Sequence, residues 1–314
     1  MPEYECYGLL LRSELDLPGL PRSERNPPPP ASEVTVELRS LPASPAADLV
    51  MVRPGRLWVG SAVMRLHIEG VATYEVRDGR HVVVDATPAA HPDEVRLFLL
   101  GTCLGAVLQQ RRMLVLHGNA VRIDDGCAVV LGRTGAGKST VSAEFVRRGL
   151  DLLADDVVPV DHLLRALPGF PRIKLWSDAA DRLGIDVSGL RRVRPEDAKY
   201  DVPVGRGPLG PLPVRWVYVL ESSEEPLLRL ETARGLARFD VLREHTYRSG
   251  LLQGPARAHH LERCHTLQEQ VRLVRVLRPE HTMTPAATAE AILDDIACHR
   301  SGPVQQHQQP QEAR

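Results

Sequence analysis

The chain has almost no lysine. Of its 39 basic residues only three are lysine, at positions 138, 174 and 199, and the remaining thirty-six are arginine. A codon bias toward arginine accounts for the arginines. A lysine that survives such a bias marks a place where a planar, forked guanidinium does not serve. An excess of basic charge is also missing, since 39 basic residues stand against 40 acidic ones and the formal net charge is −1. That balance excludes a general polyanion binder, so no nucleic-acid partner is expected. Cysteines are few and scattered, at 6, 103, 127, 264 and 298, with no CxxC pair. They exclude a disulfide framework and read as free thiols of a cytoplasmic protein. Long apolar runs are absent too. The longest, Leu97–Leu108, holds about a dozen residues, short of the ~20 that span a bilayer. The N-terminal segment MPEYECYGLLLRSELDLPGL carries early acidic groups and no secretory pattern. No membrane partner is expected.

What is there falls into two parts, as a length of 314 residues suggests at about 150 per domain. Positions 1–90 read as a β-rich N-terminal domain. Its strands are expected at Tyr4–Leu11, Val34–Leu41, Leu49–Val52, Ala62–Ile68, Ala72–Val76 and His81–Asp85. A Pro-rich linker interrupts it at 20–32, where Pro27–Pro30 allow neither helix nor central strand. Positions 91–300 read as an α/β domain. A helix starts at Pro92 and closes at Arg111-Arg112. Strands follow at Met113–Ile123 and Cys127–Leu131 around the turn Asp124-Asp125-Gly126. A helix over Ser139–Arg148 leads to a short strand, Leu150–Ala154. Strands at Val214–Leu220 and Val271–Leu277 and helices at Asp178–Leu183, Gly235–Tyr247 and Pro285–Cys298 complete it. Positions 301–314, rich in Gln, read as a disordered tail.

The strongest local signal is Gly132-Arg133-Thr134-Gly135-Ala136-Gly137-Lys138-Ser139, followed by Thr140, which fits G-x-x-x-x-G-K-[ST]. An apolar strand runs into it and a helix leaves it, the setting in which such a loop curls its N–H groups around phosphate. Lys138 is placed to reach the β- and γ-phosphates of a nucleotide, and Ser139 offers a hydroxyl to Mg²⁺. Arg133 reads as a further phosphate contact or a solvated side chain. One strand–helix unit later the chain reaches Asp155-Asp156. The two strands are expected to run parallel, which puts the acid pair and the loop on one edge of the sheet. One carboxylate there can hold Mg²⁺ while the other accepts a proton from an attacking hydroxyl. Pairing across the hairpin puts His117 opposite position 133 or 134. Spacing alone leaves it either beside the phosphates or as a half-buried strand histidine.

Lys199 and Arg206 lie on a basic loop that reads either as solvated or as a second cationic contact on the triphosphate. Lys174, in PRIKLW, reads as a strand-end surface residue on a segment that can still lie near the nucleotide. AHHLERCH holds zinc-type ligands, but no second ligand pair follows, so a polar helix face is expected.

Together Leu116-His117-Gly118, GRTGAGKST, Arg148-Gly149 and Leu153-Ala154-Asp155-Asp156 resemble the catalytic domain of the HPr kinase/phosphorylase family. The resemblance is close over 113–161 and looser over 92–300. It implies a P-loop kinase domain of the phosphoenolpyruvate carboxykinase-like type, preceded by the smaller β-rich domain. It also implies ATP and Mg²⁺ as cofactors and a serine hydroxyl of a peptide or protein as acceptor. The roles it carries fall on His117, Lys138, Ser139, Asp155 and Asp156, with the choice of base between the two aspartates open. The Glu-x-Arg-Gly-type segment of the true HPr kinases is not visible. The opening YECYGLLLRSELDLPGL resembles kinase-related proteins of peptide-modification clusters, among them lasso-peptide kinases that phosphorylate a C-terminal serine. HPr kinase/phosphorylase proper, a small-molecule kinase and a nucleotide-gated regulatory module remain alternatives, and a homo-oligomer remains open.

Overall fold

The computed structural model describes residues 1–23, 32–194, 196–204, 210–279 and 284–299. The tail expected at 301–314 lies outside them, as does most of the Pro-rich linker. The described residues form a mixed α/β structure with three sheets.

Eight strands form the first sheet: β1 (Glu3–Cys6), β2 (Leu9–Ser13), β3 (Glu33–Leu38), β4 (Val50–Arg53), β5 (Leu57–Val59), β6 (Val63–Ile68), β7 (Ala72–Arg77) and β8 (His81–Ala86). Their order is β1-β2-β3-β8-β7-β6-β5-β4, with β3 parallel to both neighbours and the other pairs antiparallel. The run expected as one strand at Tyr4–Leu11 is a hairpin. Tyr7 and Gly8 both take positive φ, 52° and 70°, and reverse the chain in two residues. A tyrosine in the left-handed region gives no turn signal in a sequence, so the break is invisible there.

The expected helix after Pro92 forms in pieces. α1 (Pro92–Phe98) runs into one π turn (Leu99–Cys103) and then α2 (Leu104–Gln110). His91 caps the start, its Nδ1 accepting the Asp93 N–H at 3.2 Å. Val95, Leu99, Leu104, Val107 and Leu108 are buried in one cluster with Val34, Met64, Tyr74 and Val82 of the first sheet. This helical stretch therefore covers that sheet.

The second sheet carries the glycine-rich loop 132–139. In chain order its elements and their neighbours are β9 (Leu114–Leu116), β10 (Gly118–Ile123), β11 (Gly126–Gly132), α3 (Lys138–Arg147), β12 (Leu152–Ala154), β13 (Val158–Val160), β14 (Arg165–Ala166), β15 (Arg172–Trp176), α4 (Ser177–Arg182), β16 (Lys199–Pro203), β17 (Leu212–Ser223), β18 (Arg229–Thr232), α5 (Leu236–Glu244), α6 (Gly254–Gln270), β19 (Arg272–Pro279) and α7 (Pro285–His299). β11, β17 and β19 are parallel neighbours at the centre. β10 and β12 extend the sheet beyond β11, and β12 runs parallel to β11 with β10 between them. β15 and β16 form a separate two-stranded ribbon.

Alternation along the central strands sorts the core into two faces. Cys127, Val129 and Leu131 of β11 and Val217 and Val219 of β17 pack with Leu242 of α5 and Cys264 and Leu267 of α6. Ala128 and Val130, with Trp216, Tyr218 and Leu220, pack with Val141 and Phe145 of α3 and Ala289, Ile292 and Ile296 of α7. Strands continuously apolar on both faces are what a parallel sheet covered by helices requires. Among the described residues no helix is long and apolar enough to cross a membrane.

Ile292 is fully buried under the sheet and lies outside the site residues. Ile292→Ala should lower the unfolding free energy by about 2–5 kcal/mol in urea titrations. A loss below about 1 kcal/mol would show that α7 does not pack there as described.

Candidate active site

The loop Gly132–Ser139 joins the end of β11 to α3. Gly132 adopts φ +149°, and a Cβ there would stand 2.9 Å from the Leu220 carbonyl oxygen of β17 and 3.1 Å from the Ala136 Cβ. Only glycine lets the loop turn this close to its neighbour strand. Gly137, at φ +77°, caps α3, so the positive end of the helix opens into the loop. Ala136 closes a tight turn by donating its N–H to the Arg133 carbonyl at 3.0 Å. Its own carbonyl accepts from the Arg278 guanidinium at 2.5 Å. Arg133, Thr134 and Gly135 are exposed at the loop's outer edge, and Thr140 lies in the first turn of α3. Lys138 is buried and folds back, donating to the carbonyls of Gly132 at 2.8 Å and Arg133 at 3.2 Å. Burial holds its pKa below the ordinary lysine value, against the opposing pull of Asp156 and Asp155.

The acid pair follows β12 directly. Because β12 and β11 run in the same direction, both C-terminal ends meet at one sheet edge, as the strand–helix–strand reading expects. Asp155 is buried. Its Oδ1 accepts from Asn119 Nδ2 at 2.8 Å and from Ser139 Oγ at 3.3 Å, and its Oδ2 accepts from the Lys174 backbone N–H at 3.0 Å. Burial, then repulsion from Asp156, raises its carboxyl to about 6. Asp156 takes φ +69°, a left-handed conformation that aspartate tolerates better than most residues. Its Oδ2 lies 3.4 Å from Lys174 Nζ and its Oδ1 3.3 Å from His117 Nδ1. Burial alone would raise Asp156, but Lys174, His117 and Lys199 bring its pKa below the ordinary value. Two adjacent carboxylates are thus pushed in opposite directions by their surroundings.

His117 does not sit where the hairpin reading puts it. β10 pairs Gly118 with Leu131 and Ile123 with Gly126, so the turn is Asp124-Asp125 and Gly126 belongs to β11. The expected strand Met113–Ile123 breaks at His117, which falls level with Gly132 rather than with 133 or 134. Its Nδ1–H donates to the Asp156 carbonyl at 3.1 Å, and its backbone N–H donates to the His245 carbonyl at 2.7 Å. Burial lowers its pKa, Asp156 opposes this, and Lys138 adds to the lowering. His117, Gly132, Arg133, Thr134 and Asp156 line a cleft whose far wall is the segment 244–248. Within that wall His245 is pushed down to about 4 by burial, then by Lys138 and His117.

Lys174 is the residue that sequence reasoning underrated. It is not a surface residue at a strand end but lies in the middle of β15, with its ammonium turned onto Asp156. Lys199, on the paired strand β16, is 5.8 Å from the Trp176 ring and lowers the pKa of Asp155, Asp156 and Lys138 alike. All three lysines of the chain thus surround the acid pair. The signal was present in the composition, because only these three basic residues escape the arginine bias. Asn119, by contrast, announces itself by nothing local. Arg206 lies outside the described residues. The AHHLERCH segment falls on α6, where buried His260 contacts Thr246 at 2.8 Å and Cys264 at 3.4 Å.

The raised Asp155 carboxyl has a consequence for stability. A carboxyl whose folded pKa exceeds its unfolded value binds its proton more tightly in the folded state. Its contribution is full below the ordinary carboxyl range and is lost as pH rises through about 6. In metal-free buffer the melting temperature of the wild type should therefore fall over this interval by more than that of Asp155→Asn. Parallel melting curves against pH would overturn the assignment.

No family model matches the chain, and no curated protein matches it. Among solved structures it is similar to the HPr(Ser) kinase/phosphatase from Coxiella burnetii, at 14% identity and a TM-score of 0.29, over 60% of this chain and 99% of that one.

Proposed function

We propose that the protein is an ATP- and Mg²⁺-dependent kinase that transfers a γ-phosphate to a serine hydroxyl of a peptide or protein. The observation that carries this reading is the 3.3 Å approach of Ser139 Oγ to Asp155 Oδ1 at the mouth of the phosphate loop. It joins the two motifs into one site. The donor set suits Mg²⁺, being one hydroxyl and one carboxylate, both hard oxygens, with the remaining positions left for phosphate and water. When bound, that ion would neutralise charge on the β- and γ-phosphate oxygens.

The chain's own groups divide the remaining work. The loop 132–140 presents N–H groups and the α3 N-terminus to the polyphosphate. Lys138, which satisfies itself on two loop carbonyls, has phosphate oxygens as its alternative acceptors. Asp156 faces the cleft on the first half of the loop and is the carboxylate available to orient an acceptor hydroxyl and take its proton. His117 fixes Asp156 from one side and Lys174 from the other. Lys199 supplies a further positive field. Asp155, held beside Ser139 by its bonds from Asn119, Ser139 and the Lys174 backbone, would hold magnesium through its remaining Oδ2 lone pair. The acceptor class rests on the sequence resemblance. Its narrower form, the C-terminal serine of a lasso-peptide precursor, is supported by the opening segment.

Intact-mass analysis after incubation with ATP and Mg²⁺ tests this. The wild type should add one phosphate to a peptide, and Lys138→Ala and Asp156→Asn should each lower the rate at least about a hundredfold. Undiminished transfer by either variant would overturn the reading. Transfer only to a metabolite would make the protein a small-molecule kinase, and tight ATP binding without transfer would make it a regulatory module.

A further inference from the structure

The wall of the cleft is a short segment, 244–248, that leaves the end of α5 and crosses beside the phosphate loop. It is bonded along its length. The His245 carbonyl accepts the His117 N–H at 2.7 Å, the Tyr247 N–H goes to the Val115 carbonyl at 2.9 Å, and Gln109 of α2 donates its side-chain amide to the Tyr247 carbonyl at 2.6 Å. Leu116 and Thr246 face each other as an isolated antiparallel bridge. The segment therefore acts as a one-step extension of β9, and it holds the backbone at the very residue where the expected strand breaks.

The Tyr247 side chain lies against the helix that covers the first sheet. It is buried, and its ring lies on Gly105. A Cβ at Gly105 would stand 2.6 Å from Tyr247 Cε1, and one at Gly101 would stand 3.4 Å from its hydroxyl. Gly101 sits inside the π turn and Gly105 is the second residue of α2. π turns and glycines inside a helix cost stability and are kept where something must fit. Here what fits is the tyrosine ring. The same ring stands 6.0 Å, centroid to centroid, from the His117 imidazole.

We propose that Tyr247 is a positioning residue for this site: seated in the glycine socket of the α1–α2 helix, it fixes segment 244–248 and the His117 ring against Asp156. The helix that covers the first sheet then bears on the geometry of the reacting groups through the Tyr247 ring. The consequence for turnover rests on the kinase reading above, whereas the consequence for the His117 ring does not.

The test uses the full chain with ¹³C-labelled histidine, the His117 signals being assigned by their loss in His117→Gln. Tyr247→Leu removes the ring, and its ring-current field, from beside His117, so the His117 signals should move. Gly105→Ala, which in an ordinary helix interior would stabilise, should move them as well by lifting the ring. The two changes share one mechanism, so the double variant should match Tyr247→Leu alone. Tyr247→Phe, which keeps the ring in the socket, should move the His117 signals far less than Tyr247→Leu. Both disturbing variants should lower phosphotransfer kcat about tenfold or more while leaving ATP affinity within about twofold, the pattern of a lost transition-state alignment. If Gly105→Ala fails to fold, Tyr247→Leu carries the test alone. Unmoved His117 signals in Tyr247→Leu, or strictly additive effects in the double variant, would overturn the proposal. Moved signals in a protein that transfers no phosphate would overturn the kinase reading and leave the positioning role standing.

Discussion

Asp155 accepts hydrogen bonds from three donors, and each comes from a different part of the chain. Asn119 belongs to β10, Ser139 to the first turn of α3, and the Lys174 amide to β15. One carboxylate thereby ties the phosphate loop, the acid strand and the β15–β16 ribbon into a single arrangement. A buried carboxylate is costly unless its lone pairs are filled, and a second carboxylate beside it raises the cost. The lysines answer that cost. Lys174 lies 3.4 Å from Asp156, and Lys199 from the same ribbon and Lys138 from the loop add positive charge near the pair. The polarity of the site and its mechanical coherence have the same origin.

The division of labour between the two cations follows from their shapes. Arginine in this protein builds structure. Arg147 and Arg148 clamp Glu144, Arg172 and Arg191 share Asp201, Arg272 grips Asp295 and Arg275 grips Glu221, and Arg147, Arg272 and Arg275 each lay two guanidinium nitrogens on the carboxylate. A group so satisfied is poorly suited to let go. Lysine carries one compact charge on a flexible stem and can exchange a carbonyl or carboxylate for a phosphate oxygen without breaking a planar match. The scarcity of lysine and its placement near the acid pair are two views of that preference.

How much of this was legible in the sequence depended on range. The phosphate loop could be read because strand, glycines and helix are contiguous. Asp155 and Asp156 could be placed on its edge because a strand–helix–strand connection fixes direction. The hairpin was read one residue out of register, since Gly126 was counted as turn when it begins β11, and this shifted His117. Asn119 and Tyr247 gave no such handle, and Lys174 only its escape from the arginine bias. Their partners lie on elements far along the chain, and nothing in the local pattern names them. The paired glycines 101 and 105 look like flaws in an apolar helix until the ring that fills them is seen. Fold class and loop chemistry were local information, and the surroundings that tune them were not.

Gly132 turns against the Leu220 carbonyl, and β17, which bears Leu220, is flanked in turn by β19. The strands that shape the phosphate loop thus begin only at Leu212 and Arg272. During synthesis the loop leaves the ribosome long before either strand exists. Sheets built from such distant parallel partners close late and slowly. Until β17 docks, Gly132 lacks the neighbour against which its backbone bends, and the glycine-rich stretch is one unfolded segment among others. The loop's shape is therefore a property that the growing chain acquires only after β17 has been made, so a polypeptide arrested upstream of β17 would carry the whole motif without the strand it bends against.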